Sequence, residues 1–271
     1  MSRLLSVAHL TAITLDPPAF IEAAARVGFD GVGLRLIRVT PDGPGYPLMD
    51  DPVMMRATKA ALASTGTRVW DIEFVRIMPE TRPRDLCQFL DAGAELGAQH
   101  VITAPYDPNL GRLASTLAEI DELARERGLG TVLEFFPWTV VPDLKSAQKV
   151  VDAAGPTVGI LPDALHFDRS ESSFDDLRAL PPHRIPFAHL CDAPVMKTYS
   201  EAELLHAARD ERLAPGEGEI ELSVYLDALP SNTPLSVEVP MTSLLKTAGA
   251  DTVLARVFEA SSAILQRQMT E

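Results

Sequence analysis

The stretch "TVLEFFPWTVVPDLKSAQKVVDAAGPTVGILPD" (131–163) decides the fold. It opens on an apolar run, "TVLEFFP" (131–137), and closes on another, "VGILPD" (158–163). Between them "DLKSAQKVVDAAG" (143–155) starts on Asp and stops on Gly, which is helix start and stop chemistry. Strand, helix and strand in that order, with runs rich in Val, Ile, Leu and Phe, read as a unit whose strands are buried on both faces. Each run also carries a carboxylate, Glu134 and Asp163, and "GILPDALHF" adds His166 three residues later. A buried strand normally ends in turn residues, so a carboxylate and an imidazole there need a reason.

Working outward, the same alternation fills the chain. Further strand candidates are "LLSVAHL" (4–10), "GVGLRLI" (31–37), "RVWDIEFV" (68–75), "HVITAP" (100–105), "IPFAHLCD" (185–192) and "PLSVEVP" (234–240), eight in all. Helical patterns cover 16–28, 50–66, 82–97, 108–128, 143–155 and 251–268, with two shorter ones near 172–180 and 219–229. Eight strands alternating with eight helices predict an α/β fold, a (β/α)8 barrel, as a single domain over residues 1–271. A doubly wound open sheet is the rival. It would announce itself by a glycine-rich turn after the first strand, and "TAITLDPP" has none.

Composition narrows the function classes. With 46% hydrophobic residues the chain has material for a large core. A formal net charge of −14 repels phosphate backbones, and no basic run offsets it, so nucleic acid is not an expected partner. Two cysteines, Cys87 and Cys191, give no disulfide framework and suit a reducing cytoplasm. The N-terminus reads as a first strand rather than a signal peptide, and no apolar run is long enough for a membrane span. The sequence leaves homo-oligomerisation open.

In a barrel, chemistry sits where the strands finish. The fifth strand supplies Glu134, the sixth Asp163 and His166, the seventh His189 and Asp192, and the eighth Glu238. The first intervals are each close to one strand–helix unit. The last is longer, and its surplus falls in 193–220, read as a long loop of which 193–212 should cover the pocket. Neighbouring strands are about 4.8 Å apart, so four side chains at one height on consecutive strands converge. Three carboxylates there repel each other unless a cation neutralises them. Glu134, Asp163, His189 and Glu238 have the inventory for a divalent metal ion, Mn²⁺ or Mg²⁺ by their oxygen-rich character, with Zn²⁺ or Co²⁺ compatible. The plainer reading stays open: a glutamate at a strand end can pair with a base, Asp163 can cap a helix, and His166 can be a satisfied core histidine.

The motifs "LEFFP", "LPDALHF", "HLCDAP", "RLAPGEGEI" and "SVEVP" carry a resemblance over nearly the whole chain. In that order they resemble the xylose isomerase-like TIM-barrel superfamily of sugar isomerases, epimerases and dehydratases. The resemblance implies that Glu134, Asp163, His189 and Glu238 ligate a metal, and that His166 and Arg212 hold substrate oxygens. It implies a small carbohydrate-like substrate whose carbonyl the ion polarises, with Glu134 and Glu238 as the proton-transferring pair and His166 as a further catalytic group. Epimerisation, isomerisation and dehydration share one enediolate, so a metal-dependent isomerase or epimerase and an inosose dehydratase-like lyase on a keto-polyol both follow.

One position departs from the pattern. The ketose 3-epimerases of this superfamily carry a substrate-binding glutamate six residues after the first ligand, where this chain has Val140. The neighbouring "EFFPW" offers an aromatic wall instead, in which Trp138 stacks on a substrate ring or simply packs. On the early strands His9, Arg35, Glu73 and Arg76 are candidates for the opposite wall, with Asp71 and Glu73 equally readable as a buried ion pair or caps. The apurinic-site endonucleases of the superfamily build their zinc sites from many histidines. This acidic chain has six, with His100, His183 and His206 poorly placed for that. A sugar-binding protein without chemistry is the non-enzymatic alternative, against which the glutamate pair argues.

Overall fold

The computed structural model describes residues 3–39 and 43–268. Eight strands follow one another: β1 Leu5–Val7, β2 Gly31–Arg35, β3 Arg68–Ile77, β4 His100–Pro105, β5 Gly130–Glu134, β6 Gly159–Leu161, β7 Ala188–Leu190 and β8 Leu235–Val237. All their pairings are parallel, running from β6 back through β1 to β8 and β7. The remaining seam, between β6 and β7, is closed by the site residues themselves. Asp163 bridges His189 in parallel register, and the His189 N–H donates to the Pro162 carbonyl at 2.9 Å. The tyrosine hydroxyl of Tyr225 locks the same carbonyl at 2.9 Å. The result is the expected (β/α)8 barrel.

The helices are α1 Pro17–Val27, α2 Pro52–Thr65, α3 Cys87–Glu95, α4 Leu110–Arg125, α5 Leu144–Ala154, α6 Ala164–Asp168, α7 Phe174–Ala179, α8 Glu201–Arg209, α9 Leu222–Ala228, α10 Thr242–Ala248 and α11 Ala250–Gln268. Their starts follow the sequence signals. Asp16, Asp51, Asn109 and Asp143 each accept a backbone N–H from the first turn. Apolar faces of these helices pack on the outside of the sheet, while Ile102, Val132, Leu161 and Phe187 fill the barrel interior. No helix among the described residues is long and apolar enough to cross a membrane.

Three expectations need correcting. The first strand stops at Val7, and His9 enters a short 3-10 turn, His9–Ala12, because its ring is held from two sides. Nδ1 accepts the Arg35 N–H at 3.1 Å and Nε2 meets the Leu15 carbonyl at 3.0 Å. The helix expected over 82–97 begins as a 3-10 turn, Pro83–Leu86, before α3. The segment 193–220, read as a loop, contains α8, started by a reciprocal capping box between Ser200 and Glu203.

Candidate metal centre and its cavity

Four ligand-type side chains meet at the C-terminal end of the barrel. Glu134 is the last residue of β5, His189 lies within β7, Glu238 follows β8, and Asp163 stands between β6 and α6. One ligand atom from each lies within 4.8 Å of all the others, and all four residues are buried. The His189 Nδ1 stands at the centre, 3.5 Å from Glu134 Oε1, 3.4 Å from Asp163 Oδ2 and 3.6 Å from Glu238 Oε2. Glu134 Oε1 and both ring nitrogens of His189 are buried with no hydrogen-bond partner. Buried polar atoms are ordinarily paired. Three carboxylates and an imidazole turned on one point, with no hydrogen bond joining the imidazole to any of them, fit a divalent cation.

Asp163 serves two ends at once. Its Oδ1 caps α6, accepting from Leu165 N at 2.7 Å and His166 N at 3.2 Å. Its Oδ2 takes the Arg212 Nη1 at 2.7 Å and faces the cluster. The capping reading and the ligand reading are thus both true, one for each oxygen. Arg212 also reaches Glu238 Oε2 through Nη2 at 2.9 Å and the Glu238 carbonyl through Nη1 at 3.0 Å. Its Nε alone is buried without a partner. Arg212 therefore braces two of the four ligand-type residues. Cys191, placed just past the end of β7, packs against the same pair, with Sγ 3.8 Å from Asp163 Oδ1 and 3.4 Å from Arg212 Nη1.

The electrostatics separate the groups. Burial pushes Glu134 up to about 7, against the pull of His189. Asp163 is held well below the usual carboxylate range, because Arg212 and the neighbouring imidazoles outweigh its burial. Burial works against a charged His189, but the surrounding carboxylates of Glu238, Asp163 and Glu134 hold its proton well above the ordinary range. His166 is lowered to about 3 by burial, so its imidazole is neutral. Its Nδ1 has no partner, and Nε2 lies 3.8 Å from Glu134 Oε1.

A cavity of about 340 Å³ opens over Glu134, Glu238, His166 and Arg212. Trp138 lines it, and its indole is fixed by packing on Phe136 and His166 and by donating to the Tyr106 hydroxyl at 3.2 Å. Asp163 and His189 lie outside the lining. Val140 is exposed and is not part of the wall. A larger cleft, about 630 Å³, lies around Arg3, Asp30 and Phe258 at the other end of the barrel and, among the described residues, gathers no ligand-type cluster.

Of the early-strand candidates, Arg35 lines the cavity and pairs with Glu73 at 3.3 Å. Arg76 instead lies 4.2 Å over the Tyr106 ring and donates to the Val39 carbonyl at 3.2 Å. His9 is a core histidine stacked between Phe20 and Tyr46, lowered to about 3 by burial. Asp192 points away from the cluster and organises "PGEGEI" (215–220), accepting from Gly216 and Gly218 at 2.9 Å and from Ile220 at 3.1 Å. A Cβ at position 218 would collide with Asp192, so only glycine fits. The sequence reading missed Tyr106, Phe74, and Arg209 and Asp210 at the end of α8, all of which line the cavity. The capping box at Ser200 was the available signal for the last two.

Comparison with known proteins agrees with the fold. The family model described as xylose isomerase-like TIM barrel matches residues 21–258. An inosose isomerase of Bacillus velezensis is 27% identical over 146 residues, 52% of this chain and 50% of that protein, so the chain spans about half the length of this curated relative. A solved structure of the IOLI protein with a bound zinc atom superposes with a TM-score of 0.79 at 18% identity, covering 99% of both chains. The probable 3-DHS dehydratase AsbF of Bacillus anthracis superposes with a TM-score of 0.75 at 14% identity, over 97% of this chain and 99% of that one. At such identities the structures speak for the fold alone. The match of the family model over most of the chain, with the closed eight-stranded barrel, shows that the chain belongs to the xylose isomerase-like TIM-barrel family.

Proposed function

We propose that the protein is a divalent-metal-dependent isomerase or epimerase acting on a small sugar, polyol or hydroxy-ketone. The observation that carries this reading is the convergence of Glu134, Asp163, His189 and Glu238 within 4.8 Å at the floor of a ligand-sized cavity. Those four residues would hold the ion. Mn²⁺ or Mg²⁺ suits an oxygen-rich set, and Zn²⁺, as in the IOLI protein, or Co²⁺ is compatible. When bound, the ion draws electron density from a substrate carbonyl and so acidifies the neighbouring C–H.

The protein's own groups then move the proton. Glu134 reaches the cavity from the end of β5, where its carboxylate would serve as the general base. Glu238 reaches the same cavity from β8. One carboxylate takes the proton and the other returns it. Return to the opposite face of the same carbon is epimerisation, and return to the adjacent carbon is isomerisation. His166, neutral and with Nδ1 unpartnered, offers a hydrogen bond to a substrate oxygen. The unpartnered Nε–H of Arg212 is the atom that residue has left for substrate. Trp138 supplies a rigid apolar wall. Two unpaired cysteines suit the cytoplasm we assign to the protein.

A dehydratase acting on a keto-polyol is the second reading. It is favoured by Val140, which puts an exposed apolar side chain where the ketose 3-epimerases carry a glutamate. One experiment separates the two. The Mn²⁺-loaded protein is incubated with small hydroxy-ketones in D₂O and followed by NMR and ultraviolet absorbance. Deuterium entering the carbon next to the carbonyl, with no new double bond, is the expected result. An absorbing enone means the dehydratase. Neither exchange nor enone, with metal bound, sinks both.

A further inference from the structure

The cavity has two unlike walls. The polar groups, Glu134, His166, Arg212 and Glu238, cluster on the side of the later strands. The wall built by the ends of β1, β2 and β3 is apolar, with Leu10, Ile13, Val39 and Phe74. Among the described residues, Arg35 is the one charged side chain on that wall. Its side chain is nine-tenths buried, at 10% exposure. A guanidinium has five N–H donors and stays charged at every accessible pH. Among the described residues this one has a single acid contact, Glu73 at 3.3 Å, and its buried Nε has no hydrogen-bond partner. Burying such a charge is costly unless acceptors meet it. Burial also pushes Glu73 up against the pull of Arg35, so that counter-charge is itself disfavoured.

From this juxtaposition we infer that Arg35 is an anion subsite, and that the substrate is a hydroxy-keto acid whose carboxylate binds Arg35 across the cavity from the metal centre. The inference rests on the proposed function for the other end of the substrate. The planar fork of a guanidinium matches a carboxylate with two parallel hydrogen bonds. An open-chain sugar would instead press a hydroxyl from nearly every carbon against the apolar side chains of Leu10, Ile13, Val39 and Phe74. A carboxylate joined to the carbonyl end by bare carbons leaves nothing unmatched on that wall. The volume of about 340 Å³ is at the small end of ligand cavities, roughly 300–1,000 Å³, which suits a compact acid.

The test uses 5-hydroxy-4-oxopentanoate and its neutral amide, titrated calorimetrically into the full chain, both Mn²⁺-loaded and EDTA-treated. In the native protein the acid should bind at least about tenfold more tightly than the amide, the size of one charge-assisted hydrogen bond. In Arg35→Gln the ratio should fall to about one. In Arg35→Lys, which keeps the charge and loses the fork, it should fall at least about threefold. A native ratio near one overturns the inference, and so does a ratio unchanged in both variants. A preference that Arg35→Gln leaves intact but EDTA abolishes belongs to the metal, and also overturns it. If the Arg35-dependent preference survives while EDTA weakens neither ligand, the subsite stands and the metal-dependent function falls. If neither compound binds, both fall. Should Arg35→Gln fail to fold, the Arg35→Lys ratio decides.

Discussion

Two aspartates are completely buried at opposite sides of the barrel, and their surroundings drive them in opposite directions. At the β6–β7 seam, Asp163 accepts two backbone N–H groups and the Arg212 guanidinium, and it is held well below the carboxylate range. On β3, Asp71 faces Gly33 across the sheet, and neither of its oxygens has a hydrogen-bond partner. Burial, reinforced by Glu73, pushes it well above the ordinary range. Desolvation raises both, so their partners decide the sign. The seam keeps negative charge at the candidate metal centre, and the β2–β3 side does not. Gly33 matters to this, since a Cβ there would come within 2.5 Å of the Asp71 carboxylate.

The comparison breaks most visibly at the seam. Glu238→Gln keeps the shape and one ligand oxygen but removes the basicity. Deuterium exchange should fall by ~10²–10⁴, the range for lost acid–base catalysis. Metal must be counted in the same preparation, since its loss would mimic the effect. His166→Ala leaves all four ligand-type residues in place and should keep metal while losing turnover. Unchanged exchange in either metal-loaded variant would remove that residue from the chemistry.

Stability should respond next. Asp163→Ala removes the partner of a buried Arg212 and uncaps α6, and breaking a buried pair costs about 3–5 kcal/mol. Urea unfolding of the metal-free protein measures it, and a loss below about 1 kcal/mol would mean the bracing through Arg212 is dispensable. Removing the ion should cost somewhat less. At a free concentration of a hundred times its Kd, a bound ion adds about 2.7 kcal/mol, or roughly 5–10 °C in Tm for a chain of this size. Melting curves that coincide with and without EDTA would empty the centre of its metal.

The seam was readable from sequence and the opposite wall was not, for physical reasons. All eight strands are legible because each is an apolar run bounded by breakers. The four ligand-type residues are legible because a strand that delivers a carboxylate to its end violates the local expectation. Residue roles that depend on three-dimensional partners are less so. Asp192 stands beside His189 at the same strand end, yet its oxygens go to a turn more than twenty residues on. Arg212 looks like a substrate group, yet most of its donors go to Asp163 and Glu238. Helix α8 buries only Ala208 and so leaves little apolar pattern to read, although Ser200 and Glu203 mark its start. Nothing in "RVWDIEFV" tells that Asp71 lacks a partner, since that follows from which side chains face it across the barrel.

The smallest expected effect sharpens the comparison most. In the metal-free protein Asp71 has a folded-state pKa raised above its unfolded value. The native protein therefore keeps a proton that the unfolded chain has released. Its contribution to stability is present below the unfolded pKa, near 3.9, and is lost as pH rises through the folded value. At pH 8 the acid should thus be a liability. Asp71→Asn keeps the shape and is neutral throughout. The amide introduces N–H donors of its own, which add an offset that does not vary with pH. The readout is therefore the change in the difference between variant and native unfolding free energies. From pH 4 to pH 8 that difference should move in favour of the variant by about 1–2 kcal/mol, the scale of an unsatisfied buried polar group. A difference that stays flat over this range would mean that Asp71 ionises freely in the fold, and that the two sides of the barrel treat buried carboxylates alike.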